Sequence, residues 1–292
     1  MSTGAEPVAL RAMTAADVPG GLRLSHEAGW NQRDEDWRFL VARNRGRFVA
    51  ALRDGRVVGT GGAAVYGTAL AWVCMILVDP GERGRGLGTR IVEAVLDRLR
   101  DVAIVGLDAT PRGLGVYARL GFVEEARLVR MELPAASAGN AARVAQGAAG
   151  ASGVRAMSRA DLEAVLALDR EAFGADRAAV LRWEFEGGPA WLAEGRDGLA
   201  GYCFRRAGRR FSHMGPLVAR DVDAARRLLG AALAEARDAG AIVDVPAASA
   251  WLSALTELGF REQRPLIRMY RGGAEPPGRP DLQLAILGPE FG

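Results

Sequence analysis

The segment Val78-Asp79-Pro80-Gly81-Glu82-Arg83-Gly84-Arg85-Gly86-Leu87-Gly88-Thr89 carries residue types suited to holding a phosphate. Glycines at 84, 86 and 88 let the backbone approach an anion that a Cβ would hold away. The apolar run Val73 to Val78 precedes the segment, and Leu87, Ile91, Val92, Val95, Leu96 and Leu99 follow at helical spacing. A strand, a glycine turn and an amphipathic helix are therefore expected in that order. The helix start presents unpaired N–H groups and the positive end of its dipole, a natural phosphate site. Two familiar phosphate motifs are excluded. A nucleoside-triphosphate loop needs GxxxxGK[ST], and the chain contains no lysine. A dinucleotide fingerprint needs a further glycine where Thr89 follows Gly84-Arg85-Gly86-Leu87-Gly88.

The pattern that fits is Arg83-x-x-Gly86-x-Gly88, and it resembles the R/Q-x-x-G-x-G/A pyrophosphate loop of the GNAT N-acetyltransferase superfamily. Downstream, the apolar strand Val102 to Leu107 leads through Asp108-Ala109-Thr110-Pro111 to Val116-Tyr117-Ala118-Arg119-Leu120-Gly121-Phe122. That stretch is similar to the family's N-x-x-A-x-x-L-Y-x-x-x-G-F signature, with Tyr117, Gly121 and Phe122 matching. Thr110 stands at the family's Asn, Gly113 at its Ala and Val116 at its Leu. The resemblance implies that acetyl-CoA is the acyl donor and that no metal takes part. It places Arg83, Gly84, Arg85, Gly86, Leu87, Gly88 and Thr89 at the pyrophosphate, and Thr110 and Tyr117 beside the coenzyme. Ile76, Leu77 and Val78 would run along the pantetheine, in a gap between two splayed strands.

The chemistry so implied is attack of an amine on a thioester, with loss of a proton and departure of a thiolate. A backbone N–H on the splayed strand would stabilise the oxyanion, and Tyr117 matches the family's tyrosine that protonates the sulfur. Without the resemblance, Tyr117 reads as a residue that packs a helix on the sheet. The strand Ala69 to Ile76 offers no carboxylate, which leaves a water relay, Asp108 or Glu27 as the general base. Asp108 also reads as a residue that only fixes the turn before Thr110. Acceptor contacts are expected from His26 to Trp37, with Glu27, Trp30 and Asn31 as substrate-binding candidates. Asp34, Glu35 and Asp36 read more simply as acids at a helix start.

These residues must be positioned by a fold that the chain repeats. Leu10-Arg11-Ala12-Met13-Thr14-Ala15-Ala16-Asp17-Val18 is echoed by Val154-Arg155-Ala156-Met157-Ser158-Arg159-Ala160-Asp161-Leu162. Leu120-Gly121-Phe122 is echoed by Leu258-Gly259-Phe260, and Arg127-Leu128-Val129-Arg130-Met131 by Pro265-Leu266-Ile267-Arg268-Met269. The expected organisation is an α/β chain with two tandem GNAT-like folds, each a mixed, twisted sheet. Residues 1–133 form the acetyl-CoA domain, 134–151 a linker, 152–272 a degenerate copy and 273–292 a tail. In the first half, strands are expected near 8–13, 47–53, 56–66, 69–78, 102–107 and 122–133. Helices are expected near 15–28 and 34–44, from the glycine loop to about 100, and at 112–120. The second copy has lost its chemistry: Asp221 and Asp223 stand where the glycine loop would be, and Leu255 where Tyr117 would be.

At 292 residues and a formal charge of +3, the chain has room for two ordinary domains and too little excess charge to imply nucleic acid. Arg205-Arg206-Ala207-Gly208-Arg209-Arg210 reads as a solvated hairpin turn. No apolar run is long enough to span a bilayer, and Met1 to Glu6 has no secretory pattern. Cys74 and Cys203 lie far apart, as do His26 and His213, which argues against a disulfide or zinc site and for a reducing cytoplasm. The leading expectation is an N-acetyltransferase acting on a small-molecule amine, with a homodimer left open. A protein acetyltransferase acting on lysine or N-terminal amines, and a non-catalytic acyl-CoA-binding protein, are the alternatives.

Overall fold

The computed structural model describes residues 7–149, 153–196, 198–236, 240–273 and 277–292. The first half runs β1 (Ala9–Ala12), α1 (Val18–Glu27), α2 (Asp34–Arg43), β2 (Val49–Arg53), β3 (Arg56–Tyr66), β4 (Leu70–Val78) and α3 (Leu87–Leu96). It continues with β5 (Ile104–Ala109), α4 (Leu114–Arg119) and β6 (Val123–Leu133). A connecting helix, α5 (Ala135–Ala149), leads to β7 (Val154–Ala156), α6 (Leu162–Phe173), α7 (Ala178–Gly187), β8 (Ala190–Gly195), β9 (Gly198–Ala207) and β10 (Phe211–Ala219). Then come α8 (Val222–Ala234), β11 (Gly240–Pro246), α9 (Trp251–Glu257), β12 (Arg261–Arg271) and β13 (Gln283–Ala285).

The sequence repeat is a structural repeat. Arg11 donates to both oxygens of Asp17 at 2.7 Å, and Thr14 N–H donates to the same carboxylate at 2.8 Å. In the second half Arg155 holds Asp161 at 2.7 and 2.8 Å, and Ser158 N–H donates to it at 2.7 Å. Each half thus turns from its first strand into its first helix around one aspartate. In the first half the strand residues alternate between faces. Ala50 and Trp72 pack with Leu24 and Leu40 of the first two helices. Val49, Ala71 and Val73 pack with Val95 of α3 on the other face.

Among the described residues the strands form one thirteen-stranded sheet, in the order β1-β2-β3-β4-β5-β12-β6-β11-β10-β9-β8-β7, with β13 paired to β10 off that path. The two halves exchange their long final strands. β12 lies against β5, where Arg268 is opposite Asp108, and β6 lies against β11, where Arg130 is opposite Asp244. Between them β6 and β12 pair with each other, Leu128 opposite Leu266. Each arginine holds the aspartate of the other half through a buried double hydrogen bond. Arg130 reaches Asp244 at 2.7 and 2.7 Å, and Arg268 reaches Asp108 at 2.9 and 2.9 Å.

The tract expected as a linker is a packed helix. Ala138, Ala141, Ala142 and Ala145 recur at helical spacing and are buried in one core with Leu228, Leu229, Ala232 and Leu233 of α8. Alanine is the best helix former and lets backbones approach closely, but as a weak hydrophobe it leaves little periodic signal. The far end of the expected linker, 150–151, lies outside the described residues, as do residue 152 and the stretch 1–6.

The basic hairpin is also more than a solvated turn. It joins β9 to β10, and its Arg206 is buried among carboxylates from three segments. Arg206 lies 2.6 Å from Asp36 of α2, 3.0 Å from Glu184 of α7 and 2.6 Å from Glu290. Burial pushes Glu184 up to about 8 and also pushes Asp36 upward, whereas Arg206 holds Glu290 down despite its burial.

Removing one partner of a buried ion pair leaves an uncompensated charge and costs about 3–5 kcal/mol. Asp108→Asn and Arg268→Met are each expected to lower unfolding stability by roughly that much, and the double variant to cost clearly less than their sum. Urea unfolding of the full chain measures all three. Single-variant losses below about 1 kcal/mol would show that the crossed pair is not what holds the exchanged strand.

Candidate active site

β4 and β5 are parallel and paired only at Leu70–Ile104, Ala71–Val105 and Trp72–Gly106. Beyond that point β4 continues to Val78 and β5 to Ala109 without pairing each other, so their facing edges diverge. On its other edge β4 carries a bulge: Thr60 is opposite Leu77, but Gly62 is opposite Cys74. Met75 sits in the bulge at φ +56, a left-handed conformation that a bulky residue adopts only under constraint. The constraint is visible, since the Thr60 hydroxyl donates to Met75 O at 2.9 Å. The bulge re-aims the backbone of β4 at the point where the strands separate.

The glycine loop follows at the end of β4. Gly84 and Gly86 adopt φ of +77 and +76 with open space where a Cβ would project, and Gly86 is the residue from which α3 starts. Arg83 Nε donates to Val78 O at 3.1 Å, which fixes the loop to the strand end. Leu87 is buried and anchors the helix start, while Arg85 remains largely exposed. The α3 N-terminus carries no side-chain cap.

A cavity open to solvent lies in the splay. It is lined by Val73 to Ile76 of β4, by Asp108, Thr110 and Tyr117, and by Trp30 and Gln32. Arg264, Leu266, Pro289 and Glu290 of the second half and tail close it. Tyr117 packs edge-to-face on Phe122, ring centroids 5.9 Å apart. A Cβ at Gly113 would come within 2.8 Å of its ring, which gives a reason for glycine there. Burial pushes the phenol above its ordinary range, so it stays protonated at neutral pH.

Among the expected site residues, Ile76, Asp108, Thr110, Tyr117 and Trp30 meet at this cavity. Two others do not. Glu27 is on a helix surface, paired with Arg23 at 2.6 Å in an i,i+4 contact. Asn31 is turned onto the second half: its amide donates to Phe211 O at 3.0 Å and accepts from Arg210 N and Phe211 N at 2.9 and 3.1 Å. It fastens the basic hairpin. Asp108 reaches the cavity with both oxygens held by Arg268, although burial pushes its carboxyl upward. Gln32, Arg264 and Glu290 line the cavity without having been singled out in the sequence. Glu290 lies in the expected tail, and Gln32 donates to its carboxylate at 3.0 Å.

The corresponding gap in the second half is filled by the chain itself. β10 and β11 pair only at Phe211–Gly240, Ser212–Ala241 and His213–Ile242. β13 then lies along β10, with Leu217 opposite Ala285, and Ile286 N–H donates to Asp244 O of β11 at 2.9 Å. The helix start that would face a phosphate is capped by Asp221, whose carboxylate accepts from Ala224 N at 2.7 Å. Leu255 is fully buried.

Residues 16–122 match the model of the acetyltransferase (GNAT) family, and residues 165–284 match an acetyltransferase (GNAT) domain. The chain is a tandem GNAT acetyltransferase. It is 28% identical over 262 residues to holothin acyltransferase of Pseudoalteromonas sp. (strain SANK 73390), covering 87% of this chain and 84% of that one. A putative acetyltransferase structure from Pyrococcus horikoshii superposes with a TM-score of 0.81 at 22% identity, over 98% of this chain and 96% of that one. A tandem GNAT protein from the clavulanic acid biosynthesis pathway gives a TM-score of 0.65 at 18% identity, over 92% and 100%. GNAT enzymes take acetyl-CoA as donor and amines as acceptors. Among the described residues of this tandem GNAT, no cluster of three or more His, Cys, Asp or Glu is arranged to hold a metal. No helix among them is long and apolar enough to cross a membrane.

One open splay and one filled splay lead to a stoichiometry. Calorimetry of the full chain with acetyl-CoA is expected to give one site per chain, abolished by Gly86→Asp, which adds both a left-handed strain and a negative charge at the loop. Two sites, or undiminished binding in the variant, would contradict the reading.

Proposed function

We propose that the first half transfers the acetyl group of acetyl-CoA to the amine of a small molecule, by direct attack and with Tyr117 as general acid. The observation that carries this reading is the meeting of the bulged, splayed strand with Tyr117 in one cavity. The diverging edge of β4 has the unpaired backbone that a pantetheine arm requires. At the far end, the uncapped start of α3 and the open glycines suit the pyrophosphate.

In the reaction the amine nitrogen bonds to the thioester carbonyl carbon, and the tetrahedral oxyanion forms beside the bulge at Met75. The C–S bond then breaks, and the departing thiolate takes the phenolic proton of Tyr117. The proton lost by the amine goes to water, because Glu27 is remote and both oxygens of Asp108 are held by Arg268. Asp108 serves as a positioning residue that joins β5 to the strand carrying the opposite cavity wall.

A small acceptor is favoured over a protein because Arg264, Leu266, Pro289 and Glu290 wall the cavity where an extended peptide would need an open groove. The Pseudoalteromonas relative is likewise named for one acceptor, holothin. Cys74 and Cys203 are buried and unpaired, and burial pushes Cys203 up to about 12, in keeping with a cytoplasmic location.

Tyr117→Phe is expected to lower kcat by about 10²–10⁴ while leaving acetyl-CoA affinity unchanged. Single-turnover thiol release and calorimetry separate the two effects. Near-normal turnover would make Tyr117 a packing residue.

A further inference from the structure

The cavity wall donated by the second half carries an arginine that has no ion-pair partner among the described residues. Along β12, side chains alternate between faces, so Arg264, Leu266 and Arg268 share one face. Arg268 is consumed by Asp108, and Leu266 is buried against the cavity. Arg264 lines the cavity beside them.

The lining holds three charged groups: Asp108, Glu290 and Arg264. The two carboxylates are satisfied, Asp108 by Arg268 at 2.9 Å and Glu290 by Arg206 at 2.6 Å and Gln32 at 3.0 Å. Arg264 has no carboxylate in ion-pair range among the described residues, and its buried Nε has no hydrogen-bond partner. Its neighbour across the strand pair is another cation, Arg130, whose own charge goes to Asp244. Burial and Arg130 push Arg264 down to about 10, which leaves it charged at neutral pH. A guanidinium withdrawn from water beside a second cation is unfavourable unless an anion joins it. Its planar fork suits a carboxylate, which it binds through two parallel hydrogen bonds.

The anion has two candidate sources, the coenzyme and the acceptor. The lining includes Val73 to Ile76 but nothing from Val78 to Thr89, so the cavity is separate from the glycine loop where the coenzyme phosphates belong. We propose that Arg264 binds a carboxylate of the acceptor, so that this enzyme acetylates amines that also carry a carboxylate group. The inference rests on the small-molecule acetyl-transfer reading of the same cavity and narrows its substrate class. The apolar part of the lining, Trp30, Val73 and Leu266, would cover the stretch between amine and carboxylate.

Matched pairs test it: amine-bearing carboxylic acids and their neutral amides, compared by thiol release with the full chain and acetyl-CoA. The acids are expected to have kcat/KM about 10–100-fold higher, the range for a hydrogen-bonded charge. Arg264→Gln is expected to erase that preference by raising KM for acids alone, Arg264→Lys to keep part of it, and both to bind acetyl-CoA as the parent does. Amides used as well as acids by the parent would overturn the proposal. So would a loss of acetyl-CoA affinity in Arg264→Gln equal to the loss for the acids, because the anion would then be the coenzyme's. A second measurement needs no turnover: the thermal shift given by N-acetyl amino acids and by their amides in the presence of coenzyme A. A shift for the acids only, lost in Arg264→Gln, supports the subsite even if no amine is acetylated, an outcome that would refute the acetyl-transfer reading by itself. No difference between acids and amides in that shift counts against the subsite.

Discussion

The reciprocal exchange of β6 and β12 is the constraint on which the rest of the molecule depends. Each half places an aspartate on the strand after its third helix, Asp108 or Asp244, and an arginine on its final strand, Arg130 or Arg268. The pairs form between halves and not within them, buried and bidentate on both sides. A buried ion pair broken on one side is strongly destabilising, so this crossing opposes separation of the halves. The tail adds to the lock: the Tyr66 hydroxyl donates to Phe291 O at 2.7 Å, and Trp72 Nε1 donates to Pro289 O at 3.2 Å. Arg268 lies over the Trp72 ring at 4.5 Å, which ties the exchanged strand to the strand that splays. Because β12 stands beside β5, residues of the second half form a wall of the first half's cavity.

The same architecture explains how two copies of one fold came to differ. In the first half the parting strands leave a groove with unpaired backbone. In the second, β13 lies in that groove and completes hydrogen bonds to both neighbours, satisfying groups that would otherwise be buried without partners. Asp221 does the same for the helix start. The second half has become a support whose own ligand groove is filled by the chain and whose last strand serves the other half.

Much of the first half was legible because its signals are local. The stripe Leu87, Ile91, Val92 and Val95 and the glycines before it fix a helix and its start wherever the chain goes. Tyr117 and Trp30, singled out by residue type within such local frames, both line the cavity. The strand exchange was not legible, since β6 and β12 carry near-identical patterns and either would fit against β5. The helix α5 that connects the halves is written largely in alanine and gives little signal of its own. The contacts of Asn31 and Arg206 were hidden for one shared reason: Asn31 meets Phe211 across 180 residues of sequence and Arg206 meets Asp36 across 170, which spacing does not report. Glu27 stands apart from the cavity for a different reason, its i,i+4 pairing with Arg23, which was in plain view.

The central claim is that the halves form one catalytic unit with a single coenzyme groove, its acceptor side walled by the exchanged strand. A crystal structure of the full chain with coenzyme A and an N-acetylated product tests it most directly. The account predicts one coenzyme between β4 and β5, its phosphates at Arg83 to Gly88, its sulfur beside Tyr117, and the product touching Leu266 and Arg264. A coenzyme lying between β10 and β11 with β13 displaced, or a product bound without contact to the second half, would contradict it.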